Sequence, residues 1–88
     1  MSTQRLSSQY PRASLERLSE RFRLTESEAE IAILLSVGET VKSISRIRGS
    51  TVLTVRTQIK RAMHKMEVHR QVDLVRLVLQ SVTLPPLD

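Results

Sequence analysis

The residues best suited to chemistry with another molecule are Arg56, Thr57 and Lys60, which share one side of a predicted helix. Arg56 and Lys60 are four residues apart, so their side chains project from the same helical face, and Thr57 lies next to them. Arginine can donate to the O6 and N7 acceptors of guanine, and lysine can do so or bind phosphate. This face is therefore chemically suited to contact base edges in the major groove of DNA.

The net charge of +5 is concentrated around these residues. Residues 42–70 contain eight Lys and Arg against Glu67 alone, a balance of +7. Residues 1–41 contain five against six and residues 71–88 one against two, so each of these segments is −1. A polyanionic partner explains this localisation better than general solubility does, the alternative being a solvated basic face.

A helix over Thr51–Met66 is predicted to position these side chains. Its apolar residues recur at helical spacing within about 100° of arc and form an inner face opposite the basic one; they are Val55, Ile59, Ala62, Met63 and Met66. A shorter segment, Val41–Arg48, precedes it, with Gly49 and Ser50 between them. Two helices joined by a tight glycine-containing turn are typical of a helix-turn-helix that inserts its second helix into a DNA groove.

The ends of these two helices carry further predictions. We expect Thr40 to cap the first helix and Gly49 to adopt a positive φ in the turn. Thr51 is expected to cap the second helix, which leaves the first-turn amides near any phosphate that docks there. Leu53 lies on the outward side of that turn, where a thymine-methyl contact and an ordinary exposed leucine are both consistent with the sequence.

Upstream, residues 1–12 are polar and predict a flexible N-terminal arm, followed by one DNA-binding domain over residues 13–82. An N-terminal helix is expected over about residues 13–23, capped by Ser14, with Leu18 on its inner face. Thr25 and Glu28 fit a capping box at the start of the next helix. The glutamates of that helix are interpreted as surface charge rather than as acid–base groups; they are Glu26, Glu28 and Glu30.

The last predicted helix, Arg70–Val82, has apolar residues over about 220° of arc, and one core contact needs only about half of that width. The surplus suggests a twofold dimer in which these helices pair, with Leu74, Leu77 and Val78 as the contacts. Residues 83–88 form a C-terminal tail in which Pro85 and Pro86 prevent further helix.

Other classes of function find little support in the composition. The chain lacks cysteine, and it has neither an apolar run of membrane-spanning length nor a signal peptide, so we expect a soluble cytoplasmic protein without membrane contact. His64 and His69 are about 140° apart around a helix and do not converge on a metal. We expect no cofactor, no metal and no enzymatic activity, since no nucleophile–base set or phosphate-binding loop is found.

The spacing of several motifs over Leu24 to about Leu79 resembles the DNA-binding domain of the LuxR/FixJ/GerE family of bacterial transcription regulators. The motifs are Leu24-Thr25-x-x-Glu28, Gly38, Lys42-x-Ile44, Gly49-x-Thr51-x-x-Thr54-Val55-Arg56, Lys65-Met66-x-Val68-x-Arg70 and His69-Arg70-Gln71-Val72-Asp73-Leu74-Val75. The resemblance implies an all-α fold, a four-helix LuxR-type helix-turn-helix bundle to which this chain adds its N-terminal helix. It also implies a homodimer that binds an inverted repeat in double-stranded DNA and regulates transcription.

Individual roles follow from the resemblance position by position. It assigns base reading to Arg56, Thr57 and Lys60, and backbone contacts to Lys42, Thr51, Thr54, Arg61 and Lys65. The chain departs from the family pattern at Val41, Arg48, Ser50 and Gln58, and Ile47 is expected to take over part of the core role of position 48.

The partners of the chain are open to more than one interpretation. No upstream receiver or ligand-sensing domain is present in the sequence, which is consistent with a stand-alone regulator like GerE or with a fragment. The alternative function is an antagonist that forms heterodimers with a larger LuxR-type regulator. Such a regulator and RNA polymerase are therefore candidate protein partners beside DNA.

Overall fold

A computed structural model describes residues 12–82 and contains five helices in that part of the chain. They are α1 (Arg12–Phe22), α2 (Glu26–Ser36), α3 (Val41–Arg48), α4 (Val52–Met66) and α5 (Gln71–Ser81). No strand occurs among these residues, so the all-α prediction is confirmed. The expected arm and tail, residues 1–11 and 83–88, lie outside the described residues.

Side-chain caps fix where α2, α3 and α4 begin. The Glu28 amide donates to Thr25 Oγ1 at 3.1 Å while the Thr25 amide donates to Glu28 Oε1 at 3.0 Å, which confirms the capping box of α2. Thr40 caps α3 as expected, and Ser43 completes a second box there. Thr51 Oγ1 accepts from the Thr54 amide at 3.0 Å at the start of α4. Each cap satisfies helix donors that would otherwise lack a partner.

The expected cap of α1 is wrong. Ser14 lies inside α1, which begins at Arg12, and its residue surface is only 7% exposed. Its position is set by burial rather than by capping. The inner face predicted for this helix is confirmed, because Leu18 is fully buried.

The turn between α3 and α4 depends on Gly49. This residue has φ +67°, the left-handed conformation predicted from the sequence, and its amide donates to Arg46 O and Ser45 O at the end of α3. A Cβ would meet no atom within 4 Å, so the requirement for glycine is conformational rather than steric.

Helix α2 is the centre of the domain and packs against all four other helices. Most of its length is buried, beyond the single stripe expected from the sequence; the buried residues are Glu28, Ala29, Ile31, Ala32, Ile33, Leu34 and Leu35. The other helices bury one face each around it, α5 through Leu74 and Val78. No helix among residues 12–82 has the length and apolar character needed to cross a bilayer.

Candidate nucleic-acid interface

Helix α4 separates its apolar and polar residues cleanly between two faces. Val55, Ile59 and Ala62 are at most 3% exposed and face the core. The opposite face is exposed, as the periodicity predicted; it contains Leu53, Arg56, Thr57, Lys60, Arg61 and His64. The expected base-reading residues therefore lie together on the solvent side of a helix whose other side is fixed to α2 and α3.

Helix α3 adds two exposed cations to those of α4. Ile44 is fully buried and fixes the inner face of α3, while Lys42 and Arg46 are exposed four residues apart. Residues at this spacing share a helical face, so they form a short cationic ridge. The sequence predicted a DNA contact for Lys42, whereas Arg46 was missed; the signal available for Arg46 was its spacing from Lys42.

Three cations of segment 42–70 are paired with carboxylates of the same chain. Arg48 Nη1 lies 2.8 Å from Glu30 Oε1, and Arg48 Nη2 donates to Ser27 Oγ at 2.9 Å. Ile47 packs against the core beside it, as expected from the departure at position 48. Arg70 pairs with Asp73 at 3.1 Å, and Lys65 pairs with Glu28 at 2.8 Å.

The Lys65–Glu28 pair corrects the expectation for Glu28 and bears on the one for Lys65. Glu28 is 4% exposed and is not surface charge. Burial alone raises the pKa of this carboxyl, but the hydrogen bonds from Lys65 and Thr25 and the charge of Lys65 outweigh burial and lower the pKa below 4.5. The Lys65 ammonium is committed to this carboxylate, so Lys65 holds α4 against α2 instead of offering a free cation.

Five cations of the segment remain exposed and have no salt-bridge partner within residues 12–82. They are Lys42 and Arg46 on α3 and Arg56, Lys60 and Arg61 on α4. Ion pairing within the chain thus separates the cations of this segment into a paired set and an unpaired set. The unpaired set lies on the helix-turn-helix unit alone.

The threonines at the start of α4 have defined hydrogen bonds. Thr51 Oγ1 donates to Thr54 Oγ1 at 2.9 Å in addition to accepting the Thr54 amide. Thr57 Oγ1 donates to Leu53 O at 3.0 Å, one helical turn back. The Thr57 hydroxyl hydrogen is therefore engaged by the backbone, and its oxygen lone pairs and methyl group remain.

The structure contradicts two of the three expected dimer contacts on α5. Leu74 and Val78 are fully buried in the core of the single chain and have no surface left for a partner. Leu77 is half-buried and packs against the same core. The exposed apolar residues of α5 are Val72 and Leu79, each 53% exposed, with half-buried Val75 between them in sequence.

The two histidines border the same surface groove. His64 and His69 line one surface groove at the end of α4, together with Lys60 and Glu67. Within residues 12–82, no cluster of three or more His, Asp or Glu side chains has an arrangement that could hold a metal ion.

Two helices joined by a turn at a left-handed glycine, the second with an exposed basic face, define a helix-turn-helix domain. Residues 23–78 match the family model GerE, described as bacterial regulatory proteins, luxR family. The match covers more than half of the chain, which therefore belongs to this family of DNA-binding regulators. Comparison with curated proteins and with solved structures gave no match.

Proposed function

We propose that this protein is a sequence-specific regulator of transcription that binds double-stranded DNA as a homodimer on an inverted repeat. Residues 13–82 are the DNA-binding domain, and α4 lies in the major groove. The observation that carries the proposal is the set of five exposed cations of segment 42–70 that have no salt-bridge partner within residues 12–82 and lie together on the helix-turn-helix. Phosphates of a duplex supply the partners that these cations lack.

Base reading is assigned to Arg56, Thr57 and Lys60. All three are exposed on α4, and the opposite face of the helix is buried, so rotation of the helix cannot turn them inward. Arg56 and Lys60 donate to guanine O6 and N7. Thr57 presents a methyl group and acceptor lone pairs, because its hydrogen is bonded to the Leu53 carbonyl.

Backbone contacts are assigned to Lys42, Thr51, Thr54 and Arg61, and Arg46 joins them as the second member of the ridge on α3. In a helix-turn-helix the first helix crosses the backbone while the second enters the groove, which suits cations at both ends of α3. Lys65 is removed from this set, since its ammonium lies 2.8 Å from the buried Glu28 carboxylate.

The homodimer is proposed to form through the exposed side of α5. Val72 and Leu79 are seven residues apart, about two helical turns, and therefore share a face. This dimer face (Val72, Val75 and Leu79) replaces the Leu74, Leu77 and Val78 set. A twofold axis through it pairs each residue with the same region of the partner, and an inverted repeat has the matching symmetry.

The proposal is tested by selecting bound sequences from random duplex DNA with the purified chain. The selected duplex, a duplex with one half-site and a scrambled duplex are then compared at several salt concentrations. We expect tight binding to the inverted repeat, weaker binding to the half-site and weak binding to the scrambled duplex, with affinity falling steeply as salt increases. Equal affinity for all three duplexes contradicts sequence-specific binding.

The same experiment distinguishes direct DNA binding from the alternative function, an antagonist that forms heterodimers with a larger regulator. A chain that acts only by forming heterodimers needs no affinity for DNA of its own. If the chain binds no duplex even at low salt but removes a larger family member from its operator, antagonism replaces regulation by direct binding. The five exposed cations favour direct binding, because an antagonist does not require them.

A further inference from the structure

Leu53 is the most exposed of the large apolar side chains among residues 12–82, with 74% of its surface accessible. A single exposed leucine is ordinary on a protein surface, so exposure alone carries no argument. Its position does. Leu53 lies in the first turn of α4, one turn before Thr57 and beside Arg56, within the face assigned above to base reading.

The helical geometry places Leu53 at the head of one line of residues. At about 100° per residue, positions 57, 60 and 64 each fall within about 40° of position 53 around the axis. Arg56 and Arg61 lie on the two sides of this line, about 60° and 80° from Leu53. The buried residue Ala62 is on the opposite side. Leu53 therefore points away from the core, between two cations.

One hydrogen bond removes a donor from the part of the face next to Leu53. The Leu53 carbonyl accepts the Thr57 hydroxyl hydrogen at 3.0 Å, so Thr57 has no hydroxyl hydrogen left to offer a base. Leu53 and the Thr57 methyl group together present hydrocarbon, whereas Arg56 and Lys60 present hydrogen-bond donors. The reading face is thus divided into an apolar part and a cationic part.

Base edges in the major groove differ in how favourably they contact an apolar side chain. Thymine carries a methyl group there, whereas cytosine carries an N4 amino donor and the purines carry hydrogen-bonding groups without a methyl. A methyl group gains by leaving water against leucine. A cytosine amino group packed against the Leu53 side chain loses water and gains no acceptor from the leucine, which is unfavourable.

We propose that Leu53 determines specificity by contacting the 5-methyl group of a thymine in each half-site, next to the bases read by Arg56 and Lys60. This inference rests on the proposed function and adds a requirement for one base. The contact is made by hydrocarbon on both sides, so it contributes discrimination that does not depend on salt concentration.

The test is a double-mutant cycle between Leu53 and the thymine methyl. Each thymine of one half-site in the selected duplex is replaced in turn by deoxyuridine, which removes only the methyl group. We expect wild-type protein to bind about fourfold more weakly at one position, the value for loss of one buried methyl-sized group. Leu53→Ala should lose affinity for the thymine duplex and show no further loss with deoxyuridine at that position.

Two further variants control the cycle. Leu53→Met retains an apolar side chain and should keep the sensitivity to deoxyuridine. Val52→Ala shortens a neighbouring side chain that is only 36% exposed, lies nearer the core side of α4, and should behave as wild type. Circular dichroism should show all variants to be folded, since position 53 makes little contact with the core.

The possible failures are distinguishable. If wild-type protein selects and binds a duplex but no deoxyuridine position weakens binding, the assignment of Leu53 is overturned and the proposed function stands. The same holds if Leu53→Ala retains the deoxyuridine effect. If wild-type protein binds no duplex, both proposals fail together.

Discussion

Lys65 Nζ and Glu28 Oε1 lie 2.8 Å apart where the last turn of α4 meets the first turn of α2. The same carboxylate oxygen accepts the Thr25 amide at 3.0 Å. One buried oxygen therefore serves both the cap of the central helix and the end of the proposed reading helix. The two residues are 37 positions apart in sequence, and their pairing fixes α4 relative to the core.

Removing the charge of Glu28 should destabilise the fold. Glu28→Gln keeps an oxygen for the Thr25 amide but leaves the Lys65 ammonium without its counter-ion. We expect the free energy of unfolding to fall by about 1–3 kcal/mol, less than for a fully buried pair because Lys65 is partly solvated. Urea denaturation followed by circular dichroism measures it. Glu20→Gln, at an exposed position of α1, is the control, and equal losses in the two variants would contradict the expectation.

Stability should also depend on acid through Glu28. The pKa of this carboxyl is lower in the folded protein than its ordinary value of 4.5. Its contribution is therefore complete above the pKa of the unfolded chain and is lost as the pH falls through the folded-state pKa. Below about pH 4.5, wild-type stability should decrease more steeply than that of Glu28→Gln. Parallel curves of unfolding free energy between pH 6 and pH 3 would show that Glu28 does not provide the coupling.

Arg46 and Arg48 offer a matched comparison of an exposed and an internally paired cation. Arg46→Ala should reduce the slope of log affinity against log salt concentration by about 0.9 per subunit, the value for one lost phosphate contact. Arg48→Leu removes the same charge, but its guanidinium is paired with Glu30, so the slope should not change. Fluorescence anisotropy with a labelled duplex gives both slopes. A reduced slope for Arg48→Leu would place Arg48 at the interface.

Replacing Arg56 or Lys60 by alanine should weaken binding to the selected duplex by about 1–3 kcal/mol and relax sequence preference. The reason is the loss of donors to base acceptors. Arg17→Ala, an exposed arginine of α1 outside the helix-turn-helix, should have a much smaller effect. Sequence selection repeated with each variant measures the preference, and unchanged preference in both α4 variants would exclude this face from base reading.

A charge on the dimer face should separate the subunits. Leu79→Glu places a carboxylate at a position that is 53% exposed in the single chain, so the fold should survive while self-association is lost. Sedimentation should then give a monomer, and affinity for the inverted repeat should drop to that for one half-site. Gln80→Glu, next to it and exposed, should still form the dimer. A wild-type chain that stays monomeric on its operator would contradict this interface.

Local features of the fold were predictable because their signals are local. The capping box of Thr25 and Glu28, the glycine turn at Gly49 and the inner face of α4 depend on residues within a few positions of one another. The same reasoning placed Arg56, Thr57 and Lys60 on the exposed side of α4. The match over residues 23–78 confirms the family inferred from these motifs.

Features that depend on distant parts of the chain were missed. The apolar width of α5 was visible in sequence, but only the packing of α1 and α2 decides that Leu74 and Val78 face inward while Leu79 stays outside. Likewise, Lys65 looked like one more basic residue because its partner Glu28 belongs to another helix. Helical spacing predicts which residues share a face of a helix. It does not predict which other helices cover that face.

The central burial of α2 has a consequence for synthesis. During translation α2 leaves the ribosome well before α5, whose Leu74 and Val78 complete the covering of its apolar surface. The hydrogen bond from Arg21 Nη1 to Ser81 Oγ joins residues 60 positions apart. The contacts of the first helix are therefore also incomplete until the last helix has been synthesised. A nascent chain stalled before α5 would expose the apolar surface of α2 and attract chaperones. Native structure should therefore form in one late step.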